Sequence, residues 1–394
     1  YISYTIQNKK MLPSVVCSYA GISYMELNNI QNGRFEAHPN TLKKICDYIG
    51  IDFISLFKKQ EKYRKLLDDA FHVLTYDIID EQKQLMKKLD GVDFEHSILF
   101  PEYLLIKIMY LGINDPLSEE YEHLLEDLSL FVNVLSPDYK GLYYIYKGIY
   151  FRERELFDKC EQFFLMADKI SPFSYRELLY QHFGCLCYYQ NRYVESLDYY
   201  NKAFELYEKK WNINRMLYTI CSIGFTYIGM RCFELAEKQL LKTLKLAQQY
   251  KNDYVIYNCY FNLCYTRFLM RDYEGCVRYG LKVQSSNEFS PQLYLFLAYS
   301  YAKLENFGEA GLWAGRREQM DPDSFCHKAL LYVKKIFDRQ EDDTEYLEML
   351  YYELPGDLKE MKILLLEDLS NIYHEAGNLI EENKMLREII RIMH

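Results

Sequence analysis

The feature that most constrains the fold of this chain is a pair of small residues twelve positions apart, which recurs along its second half. The first members recur 36, 40, 40 and 34 positions apart, and they are Gly148, Gly184, Gly224, Cys264 and Ala298. The second members are Cys160, Ser196, Ala236, Cys276 and Ala310. Two antiparallel helices approach closely only where small side chains meet, so this pattern predicts stacked helical hairpins from about residue 141.

Bulky residues at fixed offsets support these hairpins. Phe164, Tyr200 and Leu240 each follow a second small residue by four positions, where one helical turn would place them in the groove between the helices. These residues resemble the tetratricopeptide repeat (TPR), which implies a right-handed α-solenoid. The Cys264 unit departs from the pattern at Arg267 and Gly280. The stretch "LSNIYHEAGNLIEENKMLREII" is interpreted as a last, capping unit.

Composition agrees with an all-α chain. There are 9 Pro and 17 Gly in 394 residues, too few turn residues for a sandwich or barrel of short strands. No apolar run reaches the length of a membrane span, and the eleven Cys contain no CxxC pair, so we expect a cytoplasmic protein with reduced thiols and no metal site. No phosphate loop, nucleophile elbow or metalloprotease motif occurs, so we expect neither an enzyme nor a cofactor. Residue 1 is Tyr, so the natural amino terminus could lie further upstream.

The charge of the chain is uneven. Residues 1–60 carry a net charge of +3 and the remainder −13, out of −10 in total. This distribution suggests a polyanion partner at one end, although chance variation among surface charges is an alternative. We divide the chain into residues 1–60, a linker with irregular helical pairs over 61–140, broken at Pro101 and Pro137, and repeats over 141–394.

The amino-terminal unit contains a tight turn between two short helices. Pro13 suits a first helical turn, Gly21 a turn, Ser23 an N-cap and Gly33 a helix end. A further helix is expected from residues 38–40 to Ile49, and a fifth after Asp52. The spacing of apolar and turn residues resembles the Xre/Cro-type helix-turn-helix. The matching residues are Met11, Val16, Cys17, Ala20, Gly21, Ile22, Ser23, Leu27, Ile30, Gly33, Leu42, Ile45, Ile49 and Gly50.

This resemblance implies a DNA-reading second helix. Asn28 and Asn29 could pair with adenine edges, and Tyr24 or Met25 could contact a thymine methyl group. The residues left for phosphates are Lys9, Lys10, Asn32, Arg34, Lys43 and Lys44. Two departures from the family stand out, since Leu12-Pro13 replaces its Thr-Gln pair and Glu26 lies on the reading face.

A helix-turn-helix followed by TPR units resembles the peptide-responsive regulators of Gram-positive bacteria, the Rap/Rgg/NprR/PlcR/PrgX family. The resemblance implies a quorum-sensing transcription regulator that is a homodimer through its TPR domain and binds double-stranded DNA and a short signalling peptide. The inner helices should hold that peptide through Arg152, Gln181, Tyr188, Phe225, Asn258, Phe261, Asn262, Tyr265, Tyr299 and Lys303. The alternative is a Rap-like interaction protein whose helix-turn-helix is vestigial or only a dimer contact.

Overall fold

A computed structural model describes residues 2–32, 34–52, 60–95, 97–284, 290–337, 344–353 and 359–393. Over these ranges the regular structure is helical, with twenty-two α-helices and no strand, as the repeat pattern predicts. The chain forms two compact units, Tyr1–Thr219 and Ile220–His394, and the boundary between them falls within helix α13, Ile213–Gly229.

The amino-terminal segment contributes four short helices with a small core of their own. These are α1 Ile2–Asn8, α2 Pro13–Ala20, α3 Tyr24–Gln31 and α4 Pro39–Ile49. Val16, Leu27 and Ile45 are completely buried where α2, α3 and α4 meet. The predicted start and end of α4 are confirmed. The fifth helix expected after Asp52, and the helix end expected at Gly33, lie outside the described residues.

The next four helices belong to the same unit. They are α5 Gln60–Thr75, α6 Ile79–Asp90, α7 Phe100–Asn114 and α8 Glu119–Ser129. Helix α1 packs onto this group, since the Tyr4 ring lies 5.0 Å from that of Phe100 and 5.6 Å from that of Phe131. The breaks predicted at Pro101 and Pro137 are helix starts, where a missing backbone N–H costs nothing.

Paired helices follow in each unit. The first unit contains α9 Pro137–Arg152, α10 Phe157–Asp168, α11 Arg176–Tyr189 and α12 Tyr193–Lys209, which pack as α9 with α10 and α11 with α12. The second unit contains α14 Phe233–Gln249, α15 Asp253–Leu269, α16 Tyr273–Gln284, α17 Pro291–Lys303, α18 Phe307–Gly315, a 3-10 turn Arg316–Gln319, α19 Phe325–Phe337, α20 Thr344–Glu353, α21 Lys359–Glu375 and α22 Leu379–Met393. The last two helices pack as the pair expected at the end of the array.

The small residues lie where the helices of a pair touch. A Cβ added to Gly148 would lie 2.4 Å from the Phe164 ring, and one added to Gly184 would lie 2.8 Å from the Tyr200 ring. The predicted filling of the groove by the bulky residue is therefore confirmed. At the Cys264 unit the expected bulky position is Gly280, and Leu297 from α17 fills the space instead, since a Cβ added to Gly280 would lie 2.7 Å from the Leu297 side chain.

Candidate peptide-binding and nucleic-acid-binding surfaces

The turn between α2 and α3 is built as the sequence predicts. Gly21 adopts a left-handed conformation with φ of 71°, which a Cβ would disfavour, and its N–H donates to the Cys17 carbonyl. Ser23 caps α3, because its Oγ accepts from the Glu26 N–H at 3.1 Å while its own N–H donates to Glu26 Oε2 at 2.7 Å. The hydrogen bond from the Ser23 backbone lowers the pKa of Glu26. The Glu26 carboxylate is thus engaged at the helix terminus rather than extended from the reading face.

The residues predicted to read bases share one exposed helix. Tyr24 is 67% exposed and Met25 71%, and Asn28 is exposed beside them, while Asn29 and Asn32 are half-buried. Asn32 Nδ2 donates to the Asn28 carbonyl at 2.7 Å and to Asn28 Oδ1 at 2.9 Å. Within the Asn28–Asn32 pair, Asn28 Nδ2 is not used as a donor, so it can donate to an acceptor on a base edge.

The cations predicted for phosphates have different surroundings. Arg34, Lys43 and Lys44 are exposed. Lys9, in contrast, donates from Nζ to the Ile49 carbonyl at 2.7 Å, so it stabilises the carboxyl end of α4. Sequence reasoning missed this role because its acceptor lies forty positions away.

In the first unit, the predicted peptide contacts lie on α9 and α11. Arg152 Nη1 lies 3.1 Å from His182 Nδ1, and Arg152 Nη2 donates to Glu153 Oε1 at 2.6 Å. Burial, together with the nearby Arg152 cation, holds the pKa of His182 well below its usual value, so this imidazole is neutral. Gln181 is only 4% exposed and accepts from the Tyr207 hydroxyl at 2.7 Å.

Tyr188 and Phe225 are two further aromatic residues predicted to contact the peptide, and they belong to different units. Tyr188, also on α11, is half-buried, with its ring 5.6 Å from that of Tyr193. Phe225 lies on α13 in the second unit and is half-buried as well. Both residues therefore keep part of their surface in contact with solvent.

Four predicted contacts of the second unit lie on α15. The Phe261 and Tyr265 rings are half-buried, at 5.9 Å and 5.2 Å from the Phe296 ring. Asn258 is half-buried and donates from Nδ2 to the Tyr254 carbonyl at 2.8 Å. Asn262, one turn later, is only 8% exposed, and its amide lies 3.6 Å from Cys221 Sγ. Asn258 thus belongs to the accessible face, whereas Asn262 faces the interior.

On α17, Tyr299 and Lys303 converge on a residue that sequence reasoning missed. Asp368 on α21 is buried, and its carboxylate accepts from the Tyr299 hydroxyl at 2.7 Å and from Lys303 Nζ at 2.9 Å. Tyr299 is 4% exposed, while the Lys303 side chain is 36% exposed. Burial and the Asp368 charge raise the pKa of Tyr299 well above its usual value. The separation of 65 positions between Lys303 and Asp368 left no local signal for this cluster.

The described residues contain no group of three or more His, Cys, Asp or Glu side chains placed to hold a metal ion. None of the helices found over the same residues is long and apolar enough to cross a membrane.

Comparison with known proteins gives a consistent fold. The chain is 25% identical to the regulatory protein RapD of Bacillus subtilis over 318 residues, which is 76% of this chain and 85% of RapD. A Rap protein in complex with Competence and Sporulation Factor matches with a TM-score of 0.66 at 16% identity, over 84% of this chain and 98% of that one.

The quorum sensor NprR from B. thuringiensis, in its apo form, matches with a TM-score of 0.63 at 17% identity, over 85% of this chain and 99% of that one. NprR in complex with its cognate peptide NprX matches with a TM-score of 0.55 at 17% identity, over 84% and 99%. No family model matches the sequence. The all-helical fold of this chain is therefore similar to the folds of Rap and NprR proteins along nearly their whole lengths.

Proposed function

We propose that this chain is a peptide-responsive regulator of the Rap/NprR type, in which bound peptide changes the action of the chain on a partner protein. The single observation that carries the proposal is the accessible face of α15, where Asn258, Phe261 and Tyr265 present an amide and two aromatic rings at consecutive turns. The likeness in fold to Rap, and to NprR crystallised with its cognate peptide, supports the same function.

The chemistry of this face suits an extended peptide. The Asn258 side chain carries both a donor and an acceptor, so it can pair with a backbone amide. Phe261 and Tyr265 offer flat apolar walls that lose little conformational entropy on binding. Lys303 on α17 is partly exposed, but its Nζ is paired with the buried Asp368, so we assign it a positioning role rather than a contact with the peptide.

The remaining predicted contacts divide into two groups. Phe225, on the same unit as α15, stays in the proposal as a direct contact, whereas Arg152 and Tyr188 lie on the first unit and remain predictions from the sequence. Gln181, Asn262 and Tyr299 are buried, and we assign them the role of fixing the helices that carry the face. We also propose the domain division at about residues 60 and 140, a homodimer through the repeats, and a cytoplasmic location.

Capture of a peptide tests this proposal. The full chain is immobilised and exposed to a library of random short peptides, and the enriched sequences are compared with those retained by bare resin. We expect a related set of peptides to be enriched, and a synthetic member to raise the melting temperature of the free chain, because a ligand that binds only the folded state stabilises it. Enrichment no greater than on bare resin would contradict the proposal.

DNA binding is a second candidate function, and the amino-terminal segment favours it. The capped turn between α2 and α3 leaves Tyr24, Met25 and Asn28 exposed on one helix, with Arg34 and Lys43 exposed nearby in sequence. A side chain that donates and accepts hydrogen bonds is suited to a base edge, and flanking cations are suited to phosphates.

A salt-dependent titration tests this candidate. Genomic fragments retained by the full chain at low salt are titrated at increasing salt, and we expect log K to fall linearly with log salt. The double variant Arg34→Glu/Lys43→Glu should abolish binding. The matched control Lys242→Glu/Lys245→Glu makes the same change in net charge at exposed positions of α14 and should retain it. If no fragment is retained at low salt, or if both variants bind equally, the DNA-reading function is excluded and action on a protein partner remains.

A further inference from the structure

An exposed tryptophan marks the connection between α12 and α13. Trp211 is 79% exposed, although large aromatic residues are usually buried. Its φ of 54° lies in the left-handed region, which disfavours a bulky side chain. Other helix connections place polar residues there, such as Glu155, Asn191 and Arg231. A tryptophan that is both exposed and in an unfavourable backbone conformation indicates a role outside the stability of the fold.

The chain neighbours of Trp211 both line a cavity of about 350 Å³. The walls come from α5, from the start of α11 and from the end of α12, with the residues next to them, and they combine aromatic rings with charged groups. The lining residues that matter here are Asp68, His72, Tyr76, Tyr175, Glu177 and Lys210. None of the residues predicted to contact peptide or DNA lines this cavity, so it is a separate site.

The surroundings of Lys210 show that the cavity walls favour a positively charged group. Its Nζ donates to Glu177 Oε1 at 2.7 Å and also to the Ser174 carbonyl, and it lies 5.5 Å from the centre of the Tyr175 ring. A carboxylate, a carbonyl and an aromatic face together form an environment for a cation. Glu177 lines the cavity and is itself buried, and its carboxylate is paired with Lys210.

The opposite wall offers a second cation environment that is open. Asp68 is exposed and has no ion-pair partner among the described residues. The His72 ring on α5 and the Tyr76 ring, directly after that helix, also line the cavity, and their centroids are 4.4 Å apart. An anion is not suited to this wall, because the Asn212 amide donates to the Thr75 carbonyl and Lys210 is already neutralised.

We propose that this cavity and Trp211 form a docking site for an arginine side chain presented by a partner protein. The guanidinium binds between Asp68 and the rings of His72 and Tyr76, and Trp211 packs against the neighbouring surface of the partner. Arginine is favoured over lysine because its planar group stacks on aromatic rings while its N–H groups pair with a carboxylate. The inference rests on the proposed function only in taking the partner to be a protein, and the cation site itself is independent of peptide binding.

Trp211 lies in the chain between two residues that line the cavity, so its fluorescence can report occupancy. The chain contains two tryptophans, and the other, Trp313, is 6% exposed, so a full-length Trp313→Phe variant reports from Trp211 alone. This variant is titrated in 0.15 M salt with N-acetyl-arginine amide and with the uncharged isostere N-acetyl-citrulline amide. We expect a saturable change in fluorescence, with the arginine compound binding at least about tenfold more tightly than citrulline.

Two matched variants locate the effect. Asp68→Asn should weaken the arginine compound about fivefold, whereas Asp69→Asn, an equal charge change at the next exposed position, should leave it unchanged. Circular dichroism confirms that each variant is folded.

Three results would overturn the proposal: equal responses to arginine and citrulline, equal losses in the two aspartate variants, or tighter binding of N-acetyl-glutamate amide than of the arginine compound. Because no signalling peptide is present, a failure here is distinct from a failure of peptide capture.

Discussion

Replacing a single hydrogen of Gly148 by a methyl group tests the packing that organises the repeats. Helix propensity alone favours Gly148→Ala by about 1 kcal/mol. The new Cβ, however, would lie 2.4 Å from Phe164 Cε1 and 3.3 Å from the Cys160 carbonyl oxygen, against about 3.5–4.0 Å for relaxed carbon contacts. Phe164 is completely buried, so its ring has no open space into which to move.

The expected net effect follows from these opposing terms. Overpacking of a tight core costs about 1–3 kcal/mol, and the rigid surroundings favour the upper end, so we expect Gly148→Ala to destabilise the first unit by about 2 kcal/mol. Gly311 on α18 is the matched control, because nothing lies within 4 Å of its added Cβ, and Gly311→Ala should stabilise by about 0.5–1 kcal/mol.

Native-state hydrogen exchange measures the opening free energy of α9 and α10 separately from the second unit. Adding Phe164→Leu to Gly148→Ala should recover part of the loss, because the smaller side chain removes the contact. If Gly148→Ala leaves the exchange of α9 unchanged or slower, the close approach of these two helices is wrong.

Two further predictions concern buried polar groups. The pKa of His182 is depressed in the folded chain, so below about pH 6.5 the imidazole is protonated in the unfolded chain but not in the folded one. The free energy of unfolding therefore falls as the pH falls below that value, by up to about 1.4 kcal/mol per pH unit. Urea denaturation at pH 7 and pH 5.5 measures this pH dependence, which His182→Gln should reduce and the exposed control His123→Gln should not. Equal pH dependence in the unaltered chain and both variants would refute the depressed pKa of His182. Asp368→Asn removes the charge from the hydrogen bonds with Tyr299 and Lys303 and should lower the unfolding free energy by about 1.5–3 kcal/mol, measured in the same assay, while an unchanged midpoint would contradict it.

Local spacing was sufficient to predict much of the fold. The distance from Gly148 to Phe164 places both on facing helices, and the side chains meet as expected. Ser23 is the predicted N-cap and caps α3, whereas Glu26, expected on the reading face, completes a capping box with it. Each of these contacts joins residues within about one helical hairpin, so their spacing in the sequence is enough to predict it.

The site was predicted less completely because aromatic and amide residues occur on every face of the inner helices. Asn258 and Asn262 share a helix and a spacing, yet only Asn262 faces Cys221, and that choice depends on how α13 packs. Asp368 and Lys9 likewise act on partners far away in sequence. Trp211 escaped attention because a loop tryptophan has no periodicity, and its exposure becomes visible only in the folded chain.

The central claim, that a short peptide binds the accessible face of α15, is tested most directly by calorimetric titration of the full chain with one captured peptide. Asn258→Ala is compared with Asn383→Ala, whose amide makes the same local bond to the carbonyl four residues earlier but lies on α22. Loss of a buried hydrogen-bonding pair should weaken binding about tenfold for Asn258→Ala and leave Asn383→Ala unchanged. Equal affinities for the unaltered chain and Asn258→Ala would show that the peptide binds elsewhere.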